Sequence, residues 1–423
     1  MPKLKFVFTS SFYPPYHLGG DANHVRYLAE ELARLGNEVH VIHSLDAYRV
    51  KRKDFPQGYE SRGVVVHAIE TRFSRSAYEA YVLGASHRVT DCFRATIREV
   101  KPDIVHHHNI SLLGFKILER YGDYVNLYTA HDYWLICPQS NMLRNGQVCD
   151  KVSCGFCGCS FRRPPQFWRY GSGFKNAISQ IDTLIAPSNY LRDRITREVP
   201  VSAVTIPNFV PKPPAQISSS GFSKFLMYAG MLEKHKGVLA LLKAYREIAK
   251  QTDVKLVIVG DGMLRQKLRE VVKQYDLSDN VYLMGWVERD LFYALLKDSV
   301  ALVIPSIWPE NAPLVALEAL SLGTPVVASN LGGLPEIVSH LDPQLVFSWK
   351  REGDFARAIS YCLSNNNRLG QKARQVYLER YTAESYVSSY LALLRRMTEG
   401  PMGDMAYEET FDKPLVQGTW REQ

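Results

Sequence analysis

The sequence predicts an α/β protein of two doubly wound parallel-sheet domains that face a central cleft. Three observations support this prediction. The chain has 423 residues, enough for two or three domains of about 150 residues each. Short apolar strands alternate with amphipathic helices along most of the chain, and a proline- and serine-rich break near residues 207–223 divides this series in two. Such alternation is typical of parallel sheets covered by helices.

The composition is that of an ordinary globular protein with a small basic excess. Hydrophobic residues make up 46% and charged residues 22% of the chain, and 51 Lys and Arg against 43 Asp and Glu give a net charge of +8. This excess suits a small anionic partner such as a nucleotide. Because basic and acidic residues are interspersed, we expect no nucleic-acid partner.

Neither a membrane-spanning segment nor a signal peptide is expected. A spanning helix needs about 18 or more consecutive apolar residues, and no run in the chain reaches that length. The apolar stretch near the N-terminus is too short for a signal peptide. We therefore expect a cytoplasmic protein, or one that lies peripherally at the inner face of a membrane.

The first domain is predicted over residues 1–207. An apolar strand at 5–9 is followed by a loop with Gly19 and Gly20 and by a helix that begins near Asp21. The next strand, at 39–42, completes a βαβ unit, which implies a parallel sheet. Further strands are predicted at 103–106, 125–128 and 183–186.

The second domain is predicted over residues 208–380. It begins in the proline-rich break, whose composition is that of a linker. Its strands are predicted at 225–229, 255–259, 281–284, 301–304 and 324–328.

The end of the chain is predicted to leave the second domain. The segment 381–399 is expected to form a helix with Tyr386, Tyr390, Leu391 and Leu394 on one face. This apolar stripe has no obvious partner in the second domain, so we expect the helix to cross back onto the first domain. Residues 400–423 are polar and aperiodic and are predicted to be a tail.

Two glycine-containing loops follow predicted strands, where doubly wound sheets bind their ligands. Gly19 and Gly20 precede a helix, so their backbone N–H groups could face an anion, and a tight turn without a ligand is the alternative. Gly260 and Gly262 lie in a Val-Gly-Asp-Gly loop. Arg265 stands where a dinucleotide fingerprint has its third glycine, which argues against a dehydrogenase.

Trp286 and two glutamates are further candidates for ligand contacts. Trp286 could flank a base, or it could be a partly buried core aromatic. Glu310 and Glu318 have seven residues between them. A helical rise of about 1.5 Å per residue separates them by up to about 12 Å, too far for one shared proton. That span matches two hydroxylated rings of one extended ligand, each carboxylate accepting hydrogen bonds from a diol.

Several motifs, in the same order, resemble those of family 4 retaining glycosyltransferases. They are FYPPYHLGGDANHV near the N-terminus, AGMLEKHKGV, the VGDG loop, the pair Glu310 and Glu318, and the GTPVVA and GGLPE stretches that follow. The resemblance extends from Phe6 to about Arg396. It implies the GT-B fold, with an acceptor-side Rossmann-like domain followed by one that binds a nucleotide-sugar.

The resemblance also implies roles for individual residues. Glu310 would face the hydroxyls of the donor sugar, Lys236 would pair with the diphosphate, and His131 would lie near the reacting centre; these three are the implied catalytic residues. The candidate donor-binding residues are Gly19, Gly20, Gly260, Gly262, Trp286, Asn311 and Glu318; among them, the resemblance implies a backbone approach to the phosphates or acceptor at Gly20 and a ribose contact for Glu318. The resemblance implies no cofactor or catalytic metal. In such enzymes the leaving phosphate helps to deprotonate the acceptor, so the resemblance implies no carboxylate nucleophile either.

The activity implied is that of a hexosyltransferase that acts with retention. It would move a sugar from a nucleotide diphosphate-sugar to a hydroxyl of a glycan or of a polyprenyl- or other lipid-linked acceptor. A sugar-nucleotide epimerase of the same fold and a silent sugar-nucleotide-binding protein are the alternatives. The family often has an arginine where this chain has Met231, and the loss of that cation favours the silent binder.

A cysteine cluster suggests a structural metal. Cys137, Cys149, Cys154 and Cys157 have spacings that suit one zinc ion, with Cys154 and Cys157 as a Cys-x-x-Cys pair. A reduced loop without metal is the alternative.

Two further segments have distinctive polar patterns. Residues 161–170 interleave arginines with aromatic residues, which suits a membrane interface or a polyprenyl-phosphate acceptor, with a solvated loop as the alternative. His106, His107 and His108 end a predicted strand and could line the cleft, but we expect at least two of them to be solvated.

Overall fold

A computed structural model describes residues 3–52, 56, 61–144, 147–149, 154, 157 and 164–399. The described strands are β1 (Lys5–Thr9), β2 (Glu38–Ser44), β3 (Val64–Ile69), β4 (Ile104–His107), β5 (Val125–Thr129), β6 (Leu143–Arg144), β7 (Gln147–Val148), β8 (Thr183–Ala186), β9 (Ala203–Thr205), β10 (Phe225–Ala229), β11 (Lys255–Val259), β12 (Val281–Gly285), β13 (Ala301–Ile304), β14 (Val326–Ser329) and β15 (Val346–Phe347). The described α-helices are α1 (Gly20–Arg34), α2 (Leu45–Lys51), α3 (Arg75–Leu83), α4 (His87–Val100), α5 (Ser172–Ile178), α6 (Asn189–Thr196), α7 (Val238–Ala249), α8 (Arg265–Gln274), α9 (Arg289–Asp298), α10 (Leu314–Ser321), α11 (Leu334–Leu341), α12 (Asp354–Ser364), α13 (Asn366–Arg380) and α14 (Ala383–Glu399).

Two parallel sheets form the core of the molecule. The first has the order β3-β2-β1-β4-β5-β8-β9 and the second the order β12-β11-β10-β13-β14-β15. All neighbouring strands in both sheets are parallel. In each sheet the strand order reverses beside the first strand, so β1 lies between β2 and β4, and β10 between β11 and β13. Ligands of such sheets bind at these switch points.

The apolar strands form because both faces of each sheet are covered. Phe6, Val7 and Phe8 of β1 are all fully buried, as are Leu226 and Met227 of β10. Strands buried on both faces have continuous apolar runs and no alternation. Helix α1 begins at Gly20, one residue earlier than Asp21, with Gly19 as its N-cap at φ 89°.

The last helix packs against the first domain. Helix α14 contacts α1, and the buried Tyr390 lies 6.4 Å from the ring of Phe6 in β1. The Tyr390 hydroxyl is 3.0 Å from Nδ1 of His106 in β4. Residues of α14 therefore complete the core of the first sheet. Among the residues described, no helix has the length and apolarity that crossing a bilayer requires.

Candidate active site

Loops at the carboxyl ends of the two sheets meet between the domains. The Tyr133 hydroxyl donates to the Pro309 carbonyl at 3.0 Å, and the Asn311 side-chain amide donates to the His131 carbonyl at 2.8 Å. Tyr133 and His131 follow β5, whereas Pro309 and Asn311 follow β13. The Asn208 amide adds a third such bond, to a carbonyl in the loop after β13, at 3.0 Å. The cleft floor is therefore built by both domains.

Lys236 and Glu310 form an ion pair in this cleft. The Lys236 ammonium lies 2.7 Å from Oε1 of Glu310, which also accepts a 2.7 Å hydrogen bond from the Ser306 hydroxyl. Burial raises the pKa of Glu310, but Lys236 and the hydrogen bonds outweigh it and hold that pKa below its ordinary value. Glu310 is therefore ionised, and its charge is balanced by Lys236. The ammonium also lies 5.1 Å from the ring centre of Trp308.

Gly237 fixes the turn that carries Lys236. Residues 234–236 form a short 3₁₀ turn that ends at Gly237 with φ 73°. A Cβ at this position would lie 1.9 Å from the carbonyl oxygen of Pro305. Only glycine permits this contact, so the turn is held against the strand end that leads to Glu310.

Glu318 lies on α10, where apolar neighbours surround it. Burial raises its pKa, and the nearby guanidinium of Arg289 opposes that shift. Arg289 in turn donates to the Tyr293 hydroxyl at 2.9 Å and to the Tyr27 hydroxyl of the first domain at 3.3 Å. Sequence reasoning missed Arg289, since an arginine at a helix start is usually solvated; its place just after the strand end at Gly285 was the available signal.

The first glycine loop lies against the second domain. A Cβ at Gly20 would meet the Leu314 side chain at 3.4 Å, so the start of α1 contacts the start of α10. Gly19 is the N-cap, and Asp21 in the first turn accepts a 2.7 Å hydrogen bond from Asn109. The loop predicted to approach an anion thus lies at the domain boundary.

The second glycine loop packs on the loop after β10. A Cβ at Gly260 would lie 2.0 Å from the Gly230 carbonyl oxygen, and one at Gly262 would lie 2.7 Å from that of Leu232. Glycine at these two positions therefore lets the backbones of the two loops approach each other. This packing role was not predicted from the sequence. Their predicted contact with the donor remains a prediction.

Trp286 and Met231 are both open to solvent. The Trp286 side chain is 79% exposed, so it is not a core aromatic and is accessible to a ligand. Met231, at the position where the family often has arginine, is 54% exposed. Lys234 is exposed three residues further along the same loop.

His131 lies at the edge of a buried histidine cluster. It is half-buried, and its Nε2 is 3.0 Å from Nδ1 of His108. Burial lowers the pKa of His131 to about 4, so the ring is neutral near pH 7. The expectation that at least two of His106, His107 and His108 are solvated is wrong, because all three are fully buried. They end a central strand that both helix layers cover, and α14 closes over it.

Asp132 is a second residue that sequence reasoning missed. It follows His131, is half-buried, and accepts a 2.7 Å hydrogen bond from the backbone N–H of Trp134. Burial raises its pKa to about 7. Its position at the end of β5, next to a candidate catalytic residue, was the signal that could have identified it.

The four cysteines predicted to bind zinc are all described, and all are free thiols. Burial, together with the charges of neighbouring cysteines, raises the pKa of Cys154 to about 11. Within the part of the chain that is described, no group of three or more His, Cys, Asp or Glu is arranged to hold a metal ion. The zinc site remains a prediction. Of the arginine- and aromatic-rich segment, residues 161–163 lie outside the described residues.

Comparisons with known proteins match both domains of the chain. The model for Glycosyltransferase Family 4 matches residues 18–212, and that for Glycosyl transferases group 1 matches residues 214–376. An uncharacterized glycosyltransferase of Methanocaldococcus jannaschii is 25% identical over 354 residues, 80% of this chain and 83% of its own. One subunit of the phosphatidylinositol N-acetylglucosaminyltransferase of Arabidopsis thaliana is 24% identical over 374 residues, 86% of this chain and 75% of its own.

A solved structure shares the fold. The catalytic domain of starch synthase IV from Arabidopsis thaliana, bound to ADP and acarbose, superposes with a TM-score of 0.66 at 16% identity, over 93% of this chain and 99% of its own. The two sheets and the cleft between them thus define a GT-B glycosyltransferase. The chain belongs to the family 4 glycosyltransferases.

Proposed function

We propose that the protein transfers a sugar, with retention, from a nucleotide diphosphate-sugar to a hydroxyl of a glycan or lipid-linked acceptor. The observation that carries this proposal is the Lys236–Glu310 ion pair beneath the cleft that both domains form. It combines a cation suited to a departing diphosphate with a carboxylate suited to sugar hydroxyls.

Lys236 supplies the charge that a leaving diphosphate requires. Its ammonium has three donors, of which one reaches Glu310. The remaining donors can bind phosphate oxygens as negative charge develops on them. Such preorganised donors are often the largest single contribution to catalysis, because they need no reorganisation during the reaction.

Glu310 orients the donor sugar. An ionised carboxylate has about four lone-pair sites, and the bonds from Lys236 and Ser306 both go to Oε1. The carboxylate therefore retains capacity for sugar hydroxyls. Because Lys236 balances its charge, Glu310 stays ionised although it is buried.

His131 approaches the same centre from the first domain. Its ring is neutral near pH 7, since burial lowers its pKa to about 4. A neutral imidazole can both donate and accept a hydrogen bond, which suits contact with a sugar hydroxyl. The Asn311 amide holds the His131 carbonyl at 2.8 Å and so links the histidine to the loop of Glu310.

The nucleotide is assigned to the second domain. Glu318 accepts hydrogen bonds from the ribose diol, and the exposed Trp286 flanks the base. A structural neighbour holds ADP and acarbose, and a relative is named for phosphatidylinositol. These names support a nucleotide donor, and they are compatible with a glycan acceptor as well as with a lipid acceptor.

Product analysis tests the proposal. The protein is incubated with a panel of nucleotide-sugars, with and without glycan and lipid-linked acceptors, and the anomeric configuration of any product is read by NMR. We expect acceptor-dependent release of nucleoside diphosphate with retention, and its loss in Glu310→Gln but not in the control Glu247→Gln, which changes an exposed residue of α7. Conversion of the donor alone would indicate an epimerase, and tight donor binding without turnover a silent binder; either result contradicts the proposal.

A further inference from the structure

One surface of the first domain has an unusual number of exposed hydrophobic side chains. In the described part of the chain, fifteen large hydrophobic residues are exposed, and residues 72–83 together with 167–170 contain six of them. Phe73 is 82% and Phe167 is 73% exposed. We call these six residues the aromatic rim: Phe73, Tyr78, Val82, Leu83, Phe167 and Tyr170.

The two parts of the aromatic rim meet at the end of α3. The Trp168 indole N–H donates to the Tyr81 carbonyl at the end of α3, at 3.1 Å. The Trp168 ring also stacks on Phe115 with centroids 5.2 Å apart, and a Cβ at Gly84 would clash with both rings. Trp168 therefore anchors the turn at 167–170 against α3, and its neighbours Phe167 and Tyr170 point outward.

The backbone holds Phe73 outward at an energetic cost. Phe73 and Ser74 have φ of 59° and 54°, a left-handed conformation that costs about 1–3 kcal/mol for a non-glycine residue. The buried Asp46 of α2 keeps this turn in place by accepting hydrogen bonds from the Thr71 N–H at 2.9 Å and the Ser76 hydroxyl at 2.5 Å. A rigid, strained turn that exposes a phenylalanine is typical of a contact surface.

Exposed arginines lie beside the residues of the aromatic rim, and one of them, Arg75, is paired with Glu79 at 2.6 Å. Five arginines and two acidic residues lie between positions 72 and 98. Arg72 and Arg75 are exposed, and the Arg72 guanidinium lies 4.9 Å from the ring centre of Phe73. Aromatic rings locate at the headgroup level of bilayers, and each Arg near an anionic bilayer contributes about 1 kcal/mol of attraction. This combination fits an anionic lipid surface.

The aromatic rim also lies at the edge of the cleft. The turn at 72–74 follows the carboxyl end of β3, the same sheet edge that carries the Gly19–Gly20 loop after β1. In the sheet, β3 is separated from β1 only by β2, a distance of about 10 Å at ~4.8 Å per strand. A bilayer on the rim would thus lie beside the acceptor side of the cleft.

We propose that the aromatic rim and its arginines dock the protein onto an anionic bilayer, so that its acceptor is a hydroxyl on a molecule anchored in that bilayer. This inference rests on the proposed function for the acceptor class. The docking itself does not depend on turnover.

Vesicle sedimentation without substrates tests the docking. We compare phosphatidylcholine vesicles with vesicles that also contain phosphatidylglycerol, using Phe73→Ser/Phe167→Ser and the control Leu35→Ser/Leu378→Ser, which removes exposed leucines elsewhere. We expect the parent and the control to prefer anionic vesicles, and the rim variant to bind them at least about tenfold more weakly. Arg72→Gln/Arg75→Gln should lose the preference for anionic lipid.

Three outcomes would overturn the docking inference. They are a parent protein that does not bind vesicles, a rim variant that binds as the parent does, and a dimer in the ultracentrifuge that only the rim variant loses. The last result would show that a second copy covers this face. Vesicle binding without any sugar transfer would instead refute only the proposed function, and transfer to a soluble acceptor without vesicle binding would refute only the docking.

Discussion

Lys236 and Glu310 are 74 positions apart in the chain, and their side chains meet with Nζ 2.7 Å from Oε1. The pair joins the turn after β10 to the loop after β13, neighbouring strands at the switch point of the second sheet. Because Glu310 is 5% exposed, its charge depends on Lys236. The two side chains therefore act as one unit, and a change in either alters the other.

The ribose contact assigned to Glu318 can be tested with modified nucleotides. Glu318→Gln should weaken binding of a nucleoside diphosphate about ten- to hundredfold, since a hydrogen bond to a charged group contributes about 1.5–3 kcal/mol. The same variant should bind the 2′,3′-dideoxy nucleotide as the parent does. Calorimetry checks both, with the exposed Glu270→Gln as control. Equal losses for both nucleotides would show that Glu318 does not contact the ribose.

Gly237 is expected to be more sensitive than other glycines with positive φ. Gly237→Ala places a Cβ 1.9 Å from the Pro305 carbonyl oxygen, whereas Gly36, with φ 90°, has no atom within 4 Å of an added Cβ. Gly36→Ala should lower the free energy of unfolding by about 1–2 kcal/mol through backbone strain alone. Gly237→Ala should lower the free energy of unfolding by more than this and should also impair sugar transfer. Urea unfolding measures the first effect, and the turnover rate measures the second. Equal losses of stability would mean that the turn adapts without cost.

The buried histidines make stability depend on pH. Burial lowers the pKa of His43 to about 4 and that of His107 to about 3. The unfolded chain, with a histidine pKa near 6.5, binds more protons below that pH, so stability is full above about pH 6.5 and falls as the pH drops toward 4. Each such histidine contributes a slope of up to about 1.4 kcal/mol per pH unit.

Urea unfolding between pH 7.5 and pH 5 measures this slope. We expect His43→Gln to reduce it by about one histidine's contribution, and the exposed His87→Gln to leave it unchanged. A stability that does not change over this range would contradict the assignment of these histidines as neutral in the folded state.

The cysteine cluster is testable by metal analysis. We expect about one zinc per chain in protein purified without added metal. Cys154→Ser should then lower stability without changing donor affinity, because structural zinc contributes folding energy. Cys92→Ser, outside the cluster, is the control. A stable protein without metal would show that these thiols pack as a reduced loop.

The local pattern of the sequence predicts the central strands of both sheets, but it does not indicate the strands β3, β9 and β15. Continuous apolar strands such as 225–229 and the i, i+3, i+4 spacing of α1 arise from burial on sheet faces and depend on near neighbours. The resemblance to a known family indicated Lys236, Glu310 and Glu318. Neither the pattern nor the resemblance predicts that Lys236 and Glu310 form an ion pair, because that contact depends on the strand order of the second sheet.

The sequence could not show which residues are buried by elements that lie far away in the chain. The histidines at 106–108 look like a polar run, yet α14, nearly 300 residues later, covers His106 through Tyr390. His107 is buried on the other side of the strand, with its ring 5.8 Å from that of Phe93. Arg289 looks like a solvated helix start, and only the fold brings it near Glu318. The packing of the two loops at Gly260 and Gly262 could not be read from the sequence either, because it depends on how β10 and β11 pair.

The most direct test of the active site is the rate of sugar transfer by Lys236→Met, measured at saturating donor on folded protein. Lys243→Met, an exposed lysine on α7, is the matched control. Loss of one charged donor from a preorganised anion site should lower the rate about a hundred- to thousandfold, and the control should match the parent. A Lys236→Met variant that transfers sugar at nearly the parent rate would place the catalytic centre elsewhere.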